Sequence, residues 1–375
     1  MAKVLLISNT DWYLYHFRLS LARYLRAKGM DVVLASPDGP YVSKIRADDF
    51  RWVEWRVGRK SLNPIGELIS VLNLIRIYHA EKPLLVHLHT IKPVLYGSIA
   101  AKFMPVPAVV RSITGRGYVF LGKDLQAKLL RPLVRAIYHY ALRADNNATI
   151  FENETDRQYF LNENLVDRKN SYIINGVGVD TQFFYPLPEP EGIPVVILAG
   201  RMLWDKGVGT FVDAARLLHS KITARFVLVG KPDEGNPANI DYEILKHWVD
   251  EGIIEWWGWQ DDMRSIFASC HLVVLPSLGE GVPTILLEAA ASGRAIVATD
   301  VPGCRDVVVN GITGLLVSPQ DPASLAKTLE NLITNPNIRR SMGSAGRKMI
   351  EQRFSTVLIN RETFQIYQSL ISAIK

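Results

Sequence analysis

The sequence predicts an α/β protein made of two doubly wound domains, each built on a parallel sheet. The 375 residues are 48% hydrophobic, which is sufficient for two buried cores. Short apolar runs rich in β-branched residues alternate with longer amphipathic stretches, the pattern of buried parallel strands joined by helices. A proline-rich stretch at residues 185–194 interrupts this alternation near the middle of the chain.

The strands are predicted from short apolar runs that end at polar or turn-forming residues. In the first half of the chain they cover residues 3–8, 31–36, 51–57, 84–89, 108–113, 148–153 and 171–175. In the second half they cover residues 194–199, 225–230, 253–257, 272–276, 295–299 and 315–317. Helical periodicity fills most of the intervals, as in residues 17–28 and 210–219.

The segment 185–194 contains four prolines and no periodicity, which is typical of a linker. We therefore predict a first domain over residues 1–187 and a second domain that begins at residue 188, joined by a hinge. Ligands of doubly wound sheets bind beyond the carboxyl ends of the strands, so we expect a cleft where the two domains face each other.

The cysteine count and the apolar runs exclude several classes of protein. Cys270 and Cys304 do not form a C-x-x-C pair and are too few for a disulfide framework or a thiolate metal cage, so we expect buried, reduced thiols. No run reaches the ~18 uncharged apolar residues of a membrane-spanning helix. The apolar run at residues 4–7 is too short for a signal peptide. We expect a cytoplasmic protein.

Positive charge is concentrated in the first part of the chain. Residues 1–170 carry a net charge of +10 and the remainder −4, which suggests that the first part meets an anionic surface. Residues 123–143 alternate basic and apolar side chains like a helix lying on anionic lipid, with Lys123, Lys128, Arg131 and Arg135 facing the membrane. An ordinary solvated basic face is the alternative. No nucleic-acid-binding pattern accompanies the charge, so nucleic acid is not an expected partner.

The strongest candidate site is the run LGEGVPTILLEAA, which follows the predicted strand 272–276. Pro283 suits the first turn of a helix, and a helix start with Gly281 beside it lets an anion approach closely. Glu280 precedes this helix, and Glu288 lies one turn beyond Thr284 on the same face. The arrangement suits a ligand with phosphates flanked by hydroxyl-bearing sugars. An amphipathic helix with a solvated glutamate remains the alternative.

A second candidate is the loop after the predicted strand 194–199. It carries Arg201 and Lys206, and a helix begins near Gly207, so two cations beside a helix start could hold a diphosphate. The loop contains neither a Walker motif nor a dinucleotide-binding fingerprint. Two exposed surface cations are the alternative interpretation.

His87 and His89 end a predicted strand and point to the same face, but no third metal ligand is indicated by their spacing. Packed or hydrogen-bonded histidines are the favoured interpretation. The sequence also contains no Asp-x-Asp pair, so it offers no candidate of that kind for clamping a nucleotide through a metal.

Several segments together resemble family 4 of the retaining glycosyltransferases. The likeness rests on residues 280–288, the preceding 274–277, the loop 200–207 and the segment 311–316. It implies a GT-B fold of two Rossmann-like domains. A closer likeness, to bacterial enzymes that add an N-acetylhexosamine to undecaprenyl-diphosphate-linked sugars, rests on residues 15–18, 61–64, 204–208 and 233–237.

The resemblance implies a role for each candidate residue. Arg201 and Lys206 would hold the diphosphate of a UDP-sugar, and Glu280 would touch the transferred sugar, so these three form the expected catalytic group. Glu288 would bind the ribose. The backbone of the helix start would meet sugar and phosphate, through Gly281, Val282, Pro283 and Thr284. The acceptor would be a lipid-linked saccharide, which places the protein peripherally on the inner face of the membrane.

The resemblance also carries one departure and two alternatives. Many relatives have a histidine next to the reacting sugar where this chain has Thr114, so His89, Thr114 and Gly115 remain the candidates for the first-domain side of the cleft. No cofactor and no metal are expected. The last helix, about residues 356–375, would pack back on the first domain, leaving 188–355 as the second. A UDP-sugar 2-epimerase of the same fold and a non-catalytic scaffold are the alternative functions.

Overall fold

The computed structural model describes residues 1–58, 63–115, 120, 125–143 and 146–374, and gives only the backbone path of residues 125–130. The chain forms two units, one of Met1–Val177 with Leu358–Lys375 and one of Gly178–Val357. The boundary therefore falls at Gly178 rather than at residue 188. The reason is that the side chain of Val179 is buried in the core of the second unit and its N–H donates to the Phe354 carbonyl oxygen at 2.9 Å.

The first unit is built on a seven-stranded parallel sheet in the order β3-β2-β1-β4-β5-β6-β7. Its strands are β1 (Lys3–Ile7), β2 (Asp31–Ser36), β3 (Arg51–Glu54), β4 (Leu85–His89), β5 (Ala108–Ile113), β6 (Asn147–Phe151) and β7 (Ser171–Ile173). Its helices in this part of the chain are α1 (Asp11–Tyr13), α2 (Leu19–Ala27), α3 (Val42–Ala47), α4 (Pro64–Glu81), α5 (Ile91–Phe103), α6 (Leu125–Leu142) and α7 (Glu154–Asn162). A π-helical turn over Leu14–Arg18 joins α1 to α2.

The second unit is built on a six-stranded parallel sheet in the order β10-β9-β8-β11-β12-β13. Its strands are β8 (Val195–Ala199), β9 (Arg225–Val229), β10 (Glu255–Trp256), β11 (Leu272–Leu275), β12 (Ala295–Thr299) and β13 (Gly314–Val317). Its helices are α8 (Val208–Leu218), α9 (Tyr242–Asp250), α10 (Met263–Ala268), α11 (Thr284–Ala291), α12 (Pro302–Val307), α13 (Pro322–Thr334) and α14 (Pro336–Arg353). A final helix, α15 (Thr356–Ser372), follows.

Both strand orders confirm the predicted doubly wound sheets. The order reverses between β1 and β4 in the first sheet and between β8 and β11 in the second, which are the positions where such sheets bind ligands. Three predicted strands prove shorter by two or three residues, namely β3, β7 and β10, and all three lie at the edge of a sheet. An edge strand pairs on one side only, so fewer of its residues are held in extended conformation.

Helix α15 belongs to the first unit, although it follows the second unit in sequence. Its inward residues lie in the core of the first unit, and they are Ile359, Ile366, Tyr367 and Leu370. The Tyr367 hydroxyl lies 2.6 Å from Nδ1 of His87 on β4. The structure thus places the last helix on the first sheet, as the resemblance implies.

The proline-rich segment 185–194, here called the proline strap, lies on the second unit and is bonded to it. Arg294 donates to the Pro188 carbonyl oxygen at 3.1 Å, and His271 Nε2 lies 3.0 Å from the Pro190 carbonyl oxygen. Nε and Nη2 of Arg339 lie 2.7 and 2.9 Å from the Glu189 carboxylate. The sequence predicts a hinge here, but these contacts make the segment part of the second unit.

Candidate functional site

Two loops meet at the carboxyl edge of the second sheet, where its strand order reverses. One follows β8 and includes a 3₁₀ turn over Trp204–Lys206, and the other follows β11 and leads into α11. Strands β8 and β11 are neighbours in the sheet, so their following loops lie side by side. The two predicted donor-binding segments are therefore brought together at one place.

Hydrogen bonds tie these two loops to each other. The Asp205 carbonyl oxygen accepts from the Leu278 N–H at 2.9 Å and from the Ser277 hydroxyl at 3.1 Å. Lys206 Nζ lies 2.5 Å from Glu280 Oε1, with 24% and 10% of the two side chains exposed. The first predicted cation and the first predicted glutamate thus form one ion pair, whose position is fixed by the backbone on both sides.

Two glycines allow the backbones around this ion pair to approach closely. Gly207 has φ +73°, and a Cβ at this position would lie 2.0 Å from the Pro276 carbonyl oxygen. A Cβ on Gly303, in α12, would lie 1.5 Å from the Gly281 carbonyl oxygen. Neither position can carry a side chain without displacing the loop. No role for Gly303 was predicted from the sequence, where its position beside Pro302 after β12 was the available signal.

Arg201, the second predicted cation, pairs with a residue for which no role was predicted from the sequence. Its Nη1 lies 2.7 Å from Oδ2 of Asp233, which also accepts a hydrogen bond from Asn236 at 3.2 Å. Asp233 lies within the segment 233–237 that carried the closer family likeness. Both predicted diphosphate-binding cations are therefore oriented by carboxylates, one by Asp233 and the other by Glu280.

Helix α11 begins one residue later than expected, because Pro283 caps it rather than occupying its first turn. Val282 and Pro283 are buried, while Gly281 and Thr284 are partly exposed. Glu288 lies one turn after Thr284 and is half-buried. Burial raises the pKa of its carboxyl to about 8, so the group is largely protonated at neutral pH and can donate a hydrogen bond as well as accept one.

Cys304 lies close to the Lys206–Glu280 ion pair, and Cys270 lies in the same core cluster of the second unit. Both thiols are free and buried, as predicted from their number and spacing. Burial raises the pKa of each thiol to about 12, and the charge of Glu280 acts in the same direction on Cys304. Thiols in this state are poor nucleophiles, so they serve the packing of the core.

In the first unit, the predicted histidine pair is fully buried. His87 Nε2 lies 2.7 Å from the Ser112 hydroxyl, and the rings of His87 and His89 lie 3.8 Å apart between centroids. Neither ring nitrogen of His89 has a hydrogen-bond partner among the residues that the structure describes. Burial lowers the pKa of both imidazoles well below the usual range, so both are neutral. Within the described ranges, no group of three or more His, Cys, Asp and Glu side chains could hold a metal ion.

Thr114 and Gly115 follow directly after β5 and are partly exposed. They lie at the carboxyl edge of the first sheet, one strand away from His89 at the end of β4. The first-domain candidates thus share one edge of the sheet. The side chain of Thr114 is more accessible to solvent than that of His89.

The four predicted membrane-facing cations are only partly described. Lys123 and the side chain of Lys128 lie outside the described residues. Arg131 is half-buried, and Arg135 is exposed and forms an ion pair with Glu163. Among the helices described, none has the length and apolar character needed to cross a membrane.

Two family models match this chain. A model of the glycosyl transferases of group 1 matches residues 193–335, and a glycosyl transferase 4-like model matches residues 3–153. The first match covers the loops around Arg201, Lys206 and Glu280. Together the two models account for most of both units.

Individual relatives agree with the family models. The chain is 27% identical, over 90% of both chains, to N,N'-diacetylbacillosaminyl-diphospho-undecaprenol alpha-1,3-N-acetylgalactosaminyltransferase of Campylobacter jejuni. It is 26% identical to UDP-Gal:alpha-D-GlcNAc-diphosphoundecaprenol alpha-1,3-galactosyltransferase of Escherichia coli, over 80% of this chain and 78% of the relative.

Solved structures share the fold. Sucrose-phosphate synthase of Thermosynechococcus elongatus has a TM-score of 0.82 at 21% identity over all of both chains. Anabaena HepE, solved in complex with UDP and glucose, has a TM-score of 0.79 at 18% identity over 98% of this chain and 100% of HepE.

Proposed function

This chain belongs to the glycosyltransferases of group 1, and from that membership we propose that it transfers a sugar from a UDP-sugar to a saccharide linked to polyprenyl diphosphate. The Campylobacter and Escherichia relatives are named for acceptors on undecaprenyl diphosphate, and HepE was solved with UDP. The Campylobacter relative transfers an N-acetylhexosamine, and we assign the same class of sugar to this chain.

The observation that carries this proposal is the Lys206–Glu280 ion pair at the reversal of the second sheet. When the bond between the sugar and the diphosphate breaks, negative charge accumulates on the diphosphate. Lys206, Arg201 and the start of α11 supply positive charge there, and preorganised charge of this kind usually accelerates a reaction more than any other single effect. Glu280, which forms an ion pair with Lys206, orients the transferred sugar in this proposal.

The reaction proceeds with retention of configuration. The bond from the anomeric carbon to the donor phosphate breaks as the acceptor hydroxyl oxygen bonds to the same face of that carbon. The hydroxyl proton passes to the departing phosphate, so no side chain of the protein is needed as nucleophile. Glu288, protonated at neutral pH, binds the ribose hydroxyls.

No metal or cofactor takes part in the proposed reaction. The charge of the diphosphate is met by Arg201 and Lys206, and the sequence has no Asp-x-Asp pair for a nucleotide–metal clamp. The acceptor lipid lies in the membrane, so we assign the protein to the inner membrane surface as a peripheral protein. The excess positive charge of residues 1–170 suits anionic lipid.

The test is a panel of UDP-sugars assayed with a saccharide on a short-chain lipid diphosphate. We expect product only when donor and acceptor are both present. NMR should show the α-linkage that retention gives from an α-linked donor. A chelator should not reduce turnover. Conversion of UDP-sugar without acceptor would instead identify a 2-epimerase. Binding of UDP with no turnover of any pair would identify a scaffold. Loss of turnover on chelation, restored by magnesium or manganese, would refute metal independence.

A further inference from the structure

Helix α4 exposes an apolar surface. Four of its large apolar side chains, at positions i, i+3, i+4 and i+7, are exposed. They are Ile65 (71% exposed), Leu68 (60%), Ile69 (55%) and Leu72 (44%), and together they are called the α4 stripe. Side chains with this spacing form one continuous face of a helix. Apolar residues scattered singly over a surface are ordinary, whereas a contiguous apolar patch of this kind marks an interaction site.

The α4 stripe is not needed for the core of the first unit. The opposite face of the helix supplies that core, with Leu74, Ile77 and Tyr78 buried. Ser70, on the same inward face, is also buried, and its carbonyl oxygen accepts from the Trp55 indole N–H at 3.0 Å. The helix therefore has two apolar faces, and the fold uses only one of them.

The charges of α4 leave its outer face without a free carboxylate. Glu67 Oε1 lies 2.6 Å from Lys92 Nζ, and the buried Glu81 pairs with both Lys3 and Arg51. Beyond the stripe, the next residue on the outer face is Arg76, which is exposed.

The sequence on the other side of the stripe is also basic. Arg59 and Lys60 precede the helix, although they lie outside the described residues. In the amino-acid sequence, basic residues thus stand both before and after the apolar stripe, and this composition suits a surface with negative headgroups above an apolar interior.

We propose that the α4 stripe inserts into the surface of an anionic phospholipid bilayer. The helix would lie in the plane of the interface, with its four apolar side chains among the upper acyl chains and Arg76 at the headgroups. This inference rests on the proposed function, because an acceptor lipid held in a bilayer requires the enzyme to reach that surface. It adds an apolar anchor to the basic helix α6, whose exposed Arg135 is already paired with Glu163.

The first experiment reads insertion directly. The native Cys270 and Cys304 are buried, so a Leu68→Cys variant can be labelled selectively with an environment-sensitive fluorophore. We expect a blue shift and a rise in emission with phosphatidylglycerol vesicles, and little change with phosphatidylcholine vesicles. The matched control is Ile312→Cys, equally exposed in the second unit, whose label should not respond. Equal responses at both positions would overturn the proposal.

The second experiment removes the stripe. A triple variant, Leu68→Ser, Ile69→Ser and Leu72→Ser, should lower the vesicle partition coefficient by about tenfold or more, because each exposed apolar side chain contributes to transfer out of water. A triple control in the second unit, Leu217→Ser, Ile312→Ser and Ile338→Ser, should leave it unchanged. Unchanged melting by circular dichroism in both shows that neither change unfolds the protein. Unchanged partitioning of the stripe variant would refute the proposal. The proposal would also be refuted if sedimentation showed that the stripe variant loses self-association but not vesicle binding.

Activity separates this inference from the proposed function. With a water-soluble short-chain acceptor, the stripe variant should turn over like the wild type, and with a long-chain acceptor in vesicles it should be slower. Wild-type protein that turns over soluble acceptor but does not bind vesicles would refute the stripe and leave the function intact. Protein that binds vesicles through the stripe but turns over no acceptor would refute the function alone.

Discussion

The two glutamates of the candidate donor site differ in environment, although eight residues separate them. Glu280 is held in an ion pair with Lys206, which keeps its carboxylate in one position. Glu288 is half-buried on α11, and burial raises its pKa to about 8. The first therefore suits the reacting sugar, where charge develops, and the second suits a neutral hydroxyl group.

This difference predicts a split in kinetics. Glu288→Ala should mainly raise the KM for the donor, because ribose is held alike in ground and transition states, whereas Glu280→Ala should mainly lower kcat. For Glu280→Ala, losing a charge-assisted contact of about 1.5–3 kcal/mol corresponds to roughly a ten- to a hundredfold loss in kcat/KM. Steady-state kinetics over a range of donor concentrations check this. Glu243→Ala, on an exposed face of α9, is the control, and equally small effects at all three positions would contradict the assignment.

At the scale of single residues, the sequence predicted the local motifs but not the partners that are distant in sequence. The positions of Lys206 and Glu280 follow from short patterns, each consisting of a strand, a loop and a helix start. Asp233 escaped prediction because it meets Arg201 across 32 positions of sequence. The need for Gly303 is visible only where its backbone approaches Gly281, since a glycine after a proline is compatible with many turns.

At the scale of elements, strands were more predictable than the segment between the domains. Buried parallel strands are apolar throughout, so their positions could be predicted from composition. Only edge strands were overestimated by more than one residue. Proline composition does not distinguish a free linker from a bonded strap. The partners of the proline strap are distant in sequence, as with Arg339, which lies 150 positions from Glu189.

The proline strap predicts a stability effect. The side chains of Arg339 and Glu189 are only 4% and 8% exposed, so Glu189→Gln leaves a buried guanidinium without its charge partner and should cost about 3–5 kcal/mol in the free energy of unfolding. Urea denaturation measures this. The control is Glu255→Gln, whose pair with Arg225 is exposed, and it should cost under about 1 kcal/mol. Equal costs for both variants would mean that the strap is not a structural part of the second unit.

On the scale of the whole molecule, the chain runs through the first unit, then the second, and then returns. The first unit therefore consists of two pieces of sequence, and the second is continuous. The doubly wound class of each sheet was predictable from alternation, whereas the return of α15 was implied only by family resemblance. Nothing in the local pattern of residues 356–375 indicates which of two sheets the helix will cover.

Ending the chain at Val357 should therefore damage the first unit, although the whole second unit separates the deleted helix from the rest of the first unit in sequence. The deletion removes Ile359, Ile366, Tyr367 and Leu370 from the first core and takes the Tyr367 hydroxyl away from His87. Hydrogen exchange should show lost protection in β1, β4 and β5, with protection retained in β8, β11 and β12. A chain ending at Ser372 is the control. Intact protection of the first sheet in the shorter chain would contradict the prediction.

The returning helix also sets an order of events on the ribosome. Domains usually fold as they emerge, the amino-terminal one first, at roughly 5–20 residues per second of synthesis. Here the sheet that is synthesised first waits for residues that are synthesised after the whole second unit, because α15 supplies part of its core. The second unit can fold while the first is still incomplete, and the apolar face that α15 later covers stays exposed until α15 has been synthesised. The first half of a nascent chain of this protein thus completes its core only when α15 has emerged from the ribosome.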